Sequence, residues 1–274
     1  MSDKIAVEVK VYNTSTTNPQ FLITFSLHLA DNSLIMSQRL SEWTGHGPAL
    51  EQDIALTNIS LDLLGQSRNF YQYTASLINL HRLKGDIVPM AKYPVDEDDL
   101  AYHRMEHQFA THLLAELPNG DWAQTITKLF FFSVYQQQVY TQLFSCNDAQ
   151  LAAIAEKSLK EVNYHVKWSA DWVLRLGDGT GESHGRMLNA LNEVWPFTNE
   201  LFEPTTWNNN YFNVELLKEN WLLKVKEVLA EATLTLPQVM PFQSGGLRRV
   251  HTENLGYILA EMQYLQRVYP GNDW

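Results

Sequence analysis

A single cysteine, Cys146, is the only thiol in this chain of 274 residues. That excludes an internal disulfide framework and fits a reducing cytosol. No apolar run approaches the roughly 18 residues that a membrane span requires. The N-terminus lacks the charged and then apolar segments of a signal peptide, so a cytoplasmic protein without membrane contact is expected. Basic residues are also scarce, 20 Lys and Arg against 31 Asp and Glu, for a formal net charge of −11. A nucleic-acid binder would show a basic face, so no nucleic acid is expected as a partner. A small anionic ligand held by a few local cations stays open. What the chain does have is apolar and aromatic material: 45% hydrophobic residues, with 8 Trp, 12 Tyr and 12 Phe, enough for an extensive core.

Residues 1–24 read differently from the rest. Ile5 to Val11 alternates like a short strand, and Asn13 to Pro19 reads as a turn or linker, so this stretch is expected to be a flexible appendage. Residues 25–274 are expected to form a single helical domain. A first helix runs from Ser26 to Trp43 and stops at Gly45-His46-Gly47-Pro48. A second, apolar on much of its circumference, spans Ala49 to about Arg82, as a central bundle helix would. Acidic residues Asp96 to Asp99 open a third, which is expected to continue to Leu117, since acids suit a helix N-terminus. Asp121 caps a fourth reaching Phe144, and Asn147 or Asp148 a fifth reaching Leu176. A sixth, from about His184 to Leu201, is expected to kink near Pro196, which lacks a backbone donor. Further helices cover about Val214 to Ala232 and Glu253 to Val268. Long helices with short connections argue for an up-and-down bundle.

The chemistry turns on Lys160-Glu161-Val162-Asn163-Tyr164-His165. Helical di-iron proteins take ligands as Glu-x-x-His, because i and i+3 project onto one face. Here Val162 stands three residues before His165, and Glu161 stands four before it. The apolar stripe through Leu151, Ile154, Leu159 and Val166 places Val162 on the buried side. The other helices are equally short of ligands. Asp62 is followed three residues on by Gly65, Glu51 has no histidine at the required spacing, and Phe131 to Gln136 contains no acid. No metal ligands are therefore assigned, and no catalytic or cofactor-binding residues. Asp62, Arg68, Glu161 and His165 are expected to form a hydrogen-bonded network where iron would have been, since lone buried charges are costly.

Other motifs carry less. His103-Arg104-Met105-Glu106-His107 matches the inverted zinc-protease pattern H-x-x-E-H, in which two histidines on one helix face bind zinc. It lies beside an acidic helix start with none of the surrounding protease architecture, and such short matches are mostly noise. Cys146 sits in a helix-capping context, not an electropositive pocket that would activate it. Ser244-Gly245-Gly246, followed by Arg248 and Arg249, could hold a phosphate, although glycine pairs more often mark turns.

Several peptides together resemble one family. They include Gln38 to Trp43 with Gly45-His46, Asn58 to Gln66, Arg68-Asn69-Phe70, Pro118-Asn119-Gly120 and Lys160-Glu161 with Tyr164-His165. Leu176 to Thr180, Trp195 to Phe202, His251 to Gly256 and Leu259 to Arg267 continue the series. In this order, from about Leu27 to Trp274, they resemble the C-subunit (PaaC) family of the bacterial phenylacetyl-CoA epoxidase. The resemblance implies an all-α, ferritin-like bundle with additional C-terminal helices. It implies a non-catalytic structural subunit that pairs with a homologous di-iron catalytic A subunit and with the other epoxidase subunits in a hetero-oligomer. The complex epoxidises the ring of phenylacetyl-CoA with dioxygen, in aerobic phenylacetate catabolism. Its electrons come from NADPH through a reductase carrying FAD and an iron–sulfur centre, and no cofactor is bound by this subunit. The competing readings are a self-sufficient di-iron oxygenase, which would need ligands the residues do not supply, and an all-α protein carrying a small ligand in its core.

Overall fold

The computed structural model describes residues 18–81, 94–208, 211–238, 241–270 and 272. The expected strand at Ile5 to Val11, most of the linker and the Gly85 helix stop lie outside these residues. Among the described residues all regular structure is helical, and four long helices make the frame. They are α1 (Pro19–Ser41), α2 (Leu50–His81), α5 (Trp122–Leu143) and α6 (Ala149–Gly177). Helices α1 and α2 pack as one hairpin and α5 and α6 as another. A long crossover joins the two hairpins and carries the short helices α3 (Glu97–Tyr102) and α4 (Leu113–Glu116). Two hairpins linked by one crossover is the ferritin-like arrangement. Beyond it, α7 (Gly181–Val194) and α8 (Val214–Glu231) pack on α5, while α9 (Glu253–Met262) reaches α1, followed by α10 (Tyr264–Val268).

Local chemistry sets most of the ends. Asn18, Asp121, Asp148 and Asn213 each accept a backbone N–H of the first turn of α1, α5, α6 and α8 with their own side chain. The start of α1 corrects the expected boundary. Pro19 sits in its first turn, where a missing donor costs nothing, and Ile23 is already buried. The appendage expected to end at residue 24 therefore gives way to helix from Pro19. Helix α7 ends before Pro196 instead of kinking there, and two 3-10 turns carry the chain on to Phe202. The last helix divides at Gln263, whose amide is buried and donates to the Ala101 and Arg104 carbonyls.

The largest departure from expectation is the crossover. A helix was expected from Asp96 to Leu117. Instead α3 stops at Tyr102 and the chain runs extended through Met105, Phe109 and His112, broken only by a 3-10 turn. The cause lies in α1, which is buried on almost every side although it carries His28, Asp31 and Asn32. These three side chains satisfy the extended backbone. Asp31 Oδ2 accepts the Ala110 N–H at 2.9 Å, His28 Nδ1 donates to the Ala110 carbonyl at 2.6 Å, and Asn32 Oδ1 accepts the His112 N–H at 2.9 Å. Buried peptide groups that leave a helix must find such partners. Arg104 closes the arrangement: fully buried, its guanidinium spans both oxygens of Asp31, while Tyr71 of α2 donates to Asp31 at 2.6 Å. Burial alone would lower the Arg104 pKa, but Asp31 and Tyr71 raise it above its ordinary value.

Two further buried acids fasten the C-terminal part. Glu200 accepts the N–H of Leu113 at 2.7 Å and of Gly245 at 2.7 Å. Glu116 accepts from His251 Nδ1 at 2.7 Å and from the Thr252 N–H at 2.8 Å, at the start of α9. Gly246 passes so close beneath the crossover that a Cβ would fall 1.9 Å from the Thr111 carbonyl oxygen.

Two outcomes are expected. Asp31→Ala leaves Arg104 buried without its counter-charge and costs about 3–5 kcal/mol in urea denaturation, whereas the paired replacement Asp31→Leu with Arg104→Met costs less than that single change. The second concerns acid. Burial lowers His28 from 6.5 to about 4 and drives His112 down as well. Both are neutral in the fold, so the unfolded chain binds more protons as pH falls below 6.5. Stability therefore drops from pH 6.5 towards pH 4, by roughly 3 kcal/mol for His28 alone. His28→Gln flattens that slope in a series of urea titrations, and an unchanged slope would refute the assignment.

Candidate functional site

At the bundle axis, where each of the four long helices can point a side chain at the same place, the residues are polar but mostly uncharged. Gln66 of α2 donates to Glu161 of α6 at 3.0 Å. Its carbonyl oxygen accepts from Tyr140 of α5 at 3.3 Å and, at 3.5 Å, from Gln136 of the same helix. Gln136 also reaches Ser33 of α1 at 3.3 Å and Tyr140 at 3.2 Å. Ser33, Gln66, Gln136 and Tyr140 are all buried. Glu161 lies at the rim of this seam. Burial raises its pKa, opposed by the amide of Gln66 and reinforced by the charge of Asp62.

Helix geometry explains which neighbours join. Successive residues turn by about 100°, so Glu161 faces α2 while Val162 faces the core, where it is wholly buried. His165, one turn beyond Glu161, is also fully buried and meets Asp62 of α2 through Nε2 at 3.0 Å. The Asp62 side chain keeps 37% of its surface open, so this pair closes the solvent edge of the α2/α6 contact. The expected network is thus formed in part: Asp62 binds His165, and Glu161 binds Gln66. Arg68 does not take part. It stands on the outer surface of α2 and pairs with Glu97 of α3 at 3.3 Å, because its position on the helix points away from α6. Ser33, Gln66, Gln136 and Tyr140 belong to the centre but were not singled out from the sequence. Their signal was an amide or hydroxyl flanked by core residues, as in Leu63, Gln66 and Phe70.

A carboxylate-bridged di-iron centre calls for roughly four carboxylates and two histidines on these helices. The axis offers Glu161 with two amides and two hydroxyls. Neutral amides do not balance the charge of two iron ions, and His165 is turned to Asp62 at the edge. This donor set does not fit the centre. Among the described residues, no three His, Cys, Asp or Glu side chains converge closely enough to share a metal ion.

The remaining motifs resolve into structure. His103 ends α3 beside Asp99, and His107 lies in the 3-10 turn Glu106–Gln108, so the two do not share the helix face that a zinc pair needs. The Gly245-Gly246 loop does hold an anion, but an internal one: its N–H groups meet Glu200, and Arg248 pairs with Glu203 at 3.0 Å. Cys146 is half-buried and contacts the Asp148 carbonyl, and burial raises its thiol pKa. Lys128 is the most unusual cation, fully buried against the Leu117 carbonyl at 2.7 Å and lowered to about 7 by burial and by Arg39.

Against known proteins, residues 9–274 match the family described as phenylacetic acid catabolic protein. The chain is 44% identical over 259 residues to the C subunit of the 1,2-phenylacetyl-CoA epoxidase of Escherichia coli (strain K12), a match covering 92% of this chain and 99% of that relative.

The seam generates one prediction. A carboxyl whose folded pKa is raised weakens the fold above that pKa, and the penalty vanishes once pH falls below the ordinary carboxylate range. Glu161→Gln, which keeps an acceptor for Gln66, is therefore expected to raise the urea midpoint at neutral pH. The gain should disappear near pH 4. A loss of stability at neutral pH would contradict the burial of this carboxyl.

Proposed function

We propose, since this chain belongs to the family of phenylacetic acid catabolic proteins, that it is the structural C subunit of a 1,2-phenylacetyl-CoA epoxidase. The single observation that carries the non-catalytic part of this reading is the amide seam. Ser33, Gln66, Gln136 and Tyr140 occupy the bundle axis where an iron-holding relative needs carboxylates, and they bond to one another. A hydrogen-bonded amide and hydroxyl cluster satisfies its own polar groups, which keeps the axis rigid without a metal. Asp62, Glu161 and His165 are read as the remnant of the degenerate centre, with Arg68 excluded.

The chemistry then belongs to other chains of the complex. A homologous A subunit supplies the Glu-x-x-His helices and the two irons. A reductase carrying FAD and an iron–sulfur centre passes electrons from NADPH, and phenylacetyl-CoA binds to the assembly. This chain contributes a stiff helical body, one domain from about residue 19 onward, that supports the catalytic subunit in a hetero-oligomer. No helix among the described residues is long and apolar enough to cross a membrane. The cytoplasmic location is part of the proposal and rests on the family resemblance.

The test compares the chain alone with the chain co-expressed with its catalytic partner. Alone, it is expected to purify without stoichiometric iron and to show no NADPH-dependent oxygen uptake with phenylacetyl-CoA. With the A subunit and reductase, uptake is restored. Val162→Glu is expected to add no iron to the isolated chain, by metal analysis, and to destabilise it by several kcal/mol, because the new carboxylate is buried without a partner. Two irons bound to the wild-type chain alone would overturn the reading.

A further inference from the structure

One acceptor of the bundle axis is left out of the hydrogen bonding around it. Gln66 donates through Nε2 to the Glu161 carboxylate at 3.0 Å, which fixes its amide and turns its oxygen toward α5. That oxygen accepts from Tyr140, and Gln136 must meet it with nitrogen. The Gln136 nitrogen also reaches Ser33 and Tyr140. Its oxygen therefore turns the other way. It is buried, and among the described residues no donor meets it. A buried amide oxygen without a donor keeps the full cost of its lost hydration.

A second acceptor stands on α1. His28 donates through Nδ1 to the Ala110 carbonyl at 2.6 Å. Burial keeps the ring neutral at ordinary pH, so Nε2 carries a lone pair and no proton. The Asn32 amide nitrogen lies 3.4 Å from Nε2, but it already donates to the His28 carbonyl at 2.8 Å. Nε2 thus lacks a well-placed donor of its own.

Gln136 and His28 line one small cavity between α1 and α5. Asn32 borders it from α1, and Phe132, Tyr135 and Tyr140 border it from α5, all of them buried. The cavity leaves about 10 Å³ for the centre of a water molecule, which is room for one and no more. Water is retained in such a space only where polar partners meet it. Here two acceptors without a good donor share the walls, and a water molecule brings two hydrogens.

We propose that this cavity is the binding site of one structural water, which donates one hydrogen to Gln136 Oε1 and the other to His28 Nε2. Neither acceptor carries charge, so an ion of similar size would be buried there without compensation. The water joins two groups of bonds that the side chains do not connect directly. His28 belongs to the α1 residues that bond the crossover backbone, and Gln136 belongs to the amide seam. With the water in place, hydrogen bonds run from the Ala110 carbonyl through His28, Gln136 and Gln66 to Glu161 at the rim. The site goes beyond the subunit reading and stands whether or not that reading holds.

The experiment uses the full chain in two measurements. A crystal structure of the wild type, at a resolution that shows ordered water, is expected to place one within hydrogen-bonding distance of both Gln136 Oε1 and His28 Nε2. Oxygen-17 relaxation dispersion of the solvent counts the waters held longer than the protein tumbles. Gln136→Leu, of similar size but without the acceptor, is expected to lose one of them. Gln137→Leu, at the neighbouring position that bonds Asn163 near the surface, is expected to keep the wild-type count. If Gln136→Leu does not fold, the wild-type crystal decides alone. A wild-type crystal with no water at this place, or with Gln136 bonded directly to His28, would overturn the assignment. So would an unchanged water count in folded Gln136→Leu.

Discussion

The buried carboxylate of Asp31 is the point on which the architecture turns. It sits in the middle of α1, takes the Arg104 guanidinium and the Tyr71 hydroxyl, and still accepts the Ala110 N–H. One side chain thereby joins the first hairpin to the crossover, and the crossover delivers the chain to the second hairpin. A carboxylate in an apolar interior is tolerable only when its charge is matched and its lone pairs are used. Here both conditions are met by groups from two separate stretches of sequence, α2 and the crossover. His28 and Asn32, flanking it along α1, extend the same bonding to the backbone on either side. Helix α1 therefore serves the crossover much as a neighbouring strand would.

The interior acids follow a common pattern. Asp31, Glu116 and Glu200 are all buried, and each is bound to backbone N–H groups or to basic side chains of another segment. They fasten connections that would otherwise leave peptide groups unsatisfied. At the bundle axis the charge is instead nearly removed: amides and hydroxyls bond to one another, and Glu161 alone remains at the rim. A related bundle that kept several carboxylates at that point would need metal ions to offset their repulsion. The internal hydrogen bonds of this seam do the corresponding structural work without them. The amides and hydroxyls satisfy one another there, so the axis holds its polar groups without unpaired charge at its centre.

The covering of the bundle is lopsided among the described residues. The segments after α6 wrap α1 and α5, and the crossover closes the remaining side of α1. Among the described residues, Leu50, Ile54, Leu61 and Leu64 of α2 and Lys157, Lys160 and Lys167 of α6 stay exposed.

The long helices were legible from residue order alone, because their signals are local. Apolar spacing marked α2 and α6, while Asp121 and Asp148 capped α5 and α6 as expected. Part of the polar network was legible too: Asp62 pairs with His165, and Glu161 meets Gln66 at the rim. The rest depended on contacts between distant segments. The acidic start at Asp96 to Asp99 promised a helix to Leu117, and nothing nearby in the sequence disclosed that His28, Asp31 and Asn32, some 80 residues earlier, would bond its backbone in an extended form. Gln66, Gln136 and Ser33 became a centre only when three helices met, and Arg68 left it because its direction depends on where α6 lies. Spacing along a chain reports which face of one helix a residue occupies. Which other segment that face meets is a long-range contact, and only the assembled fold supplies it.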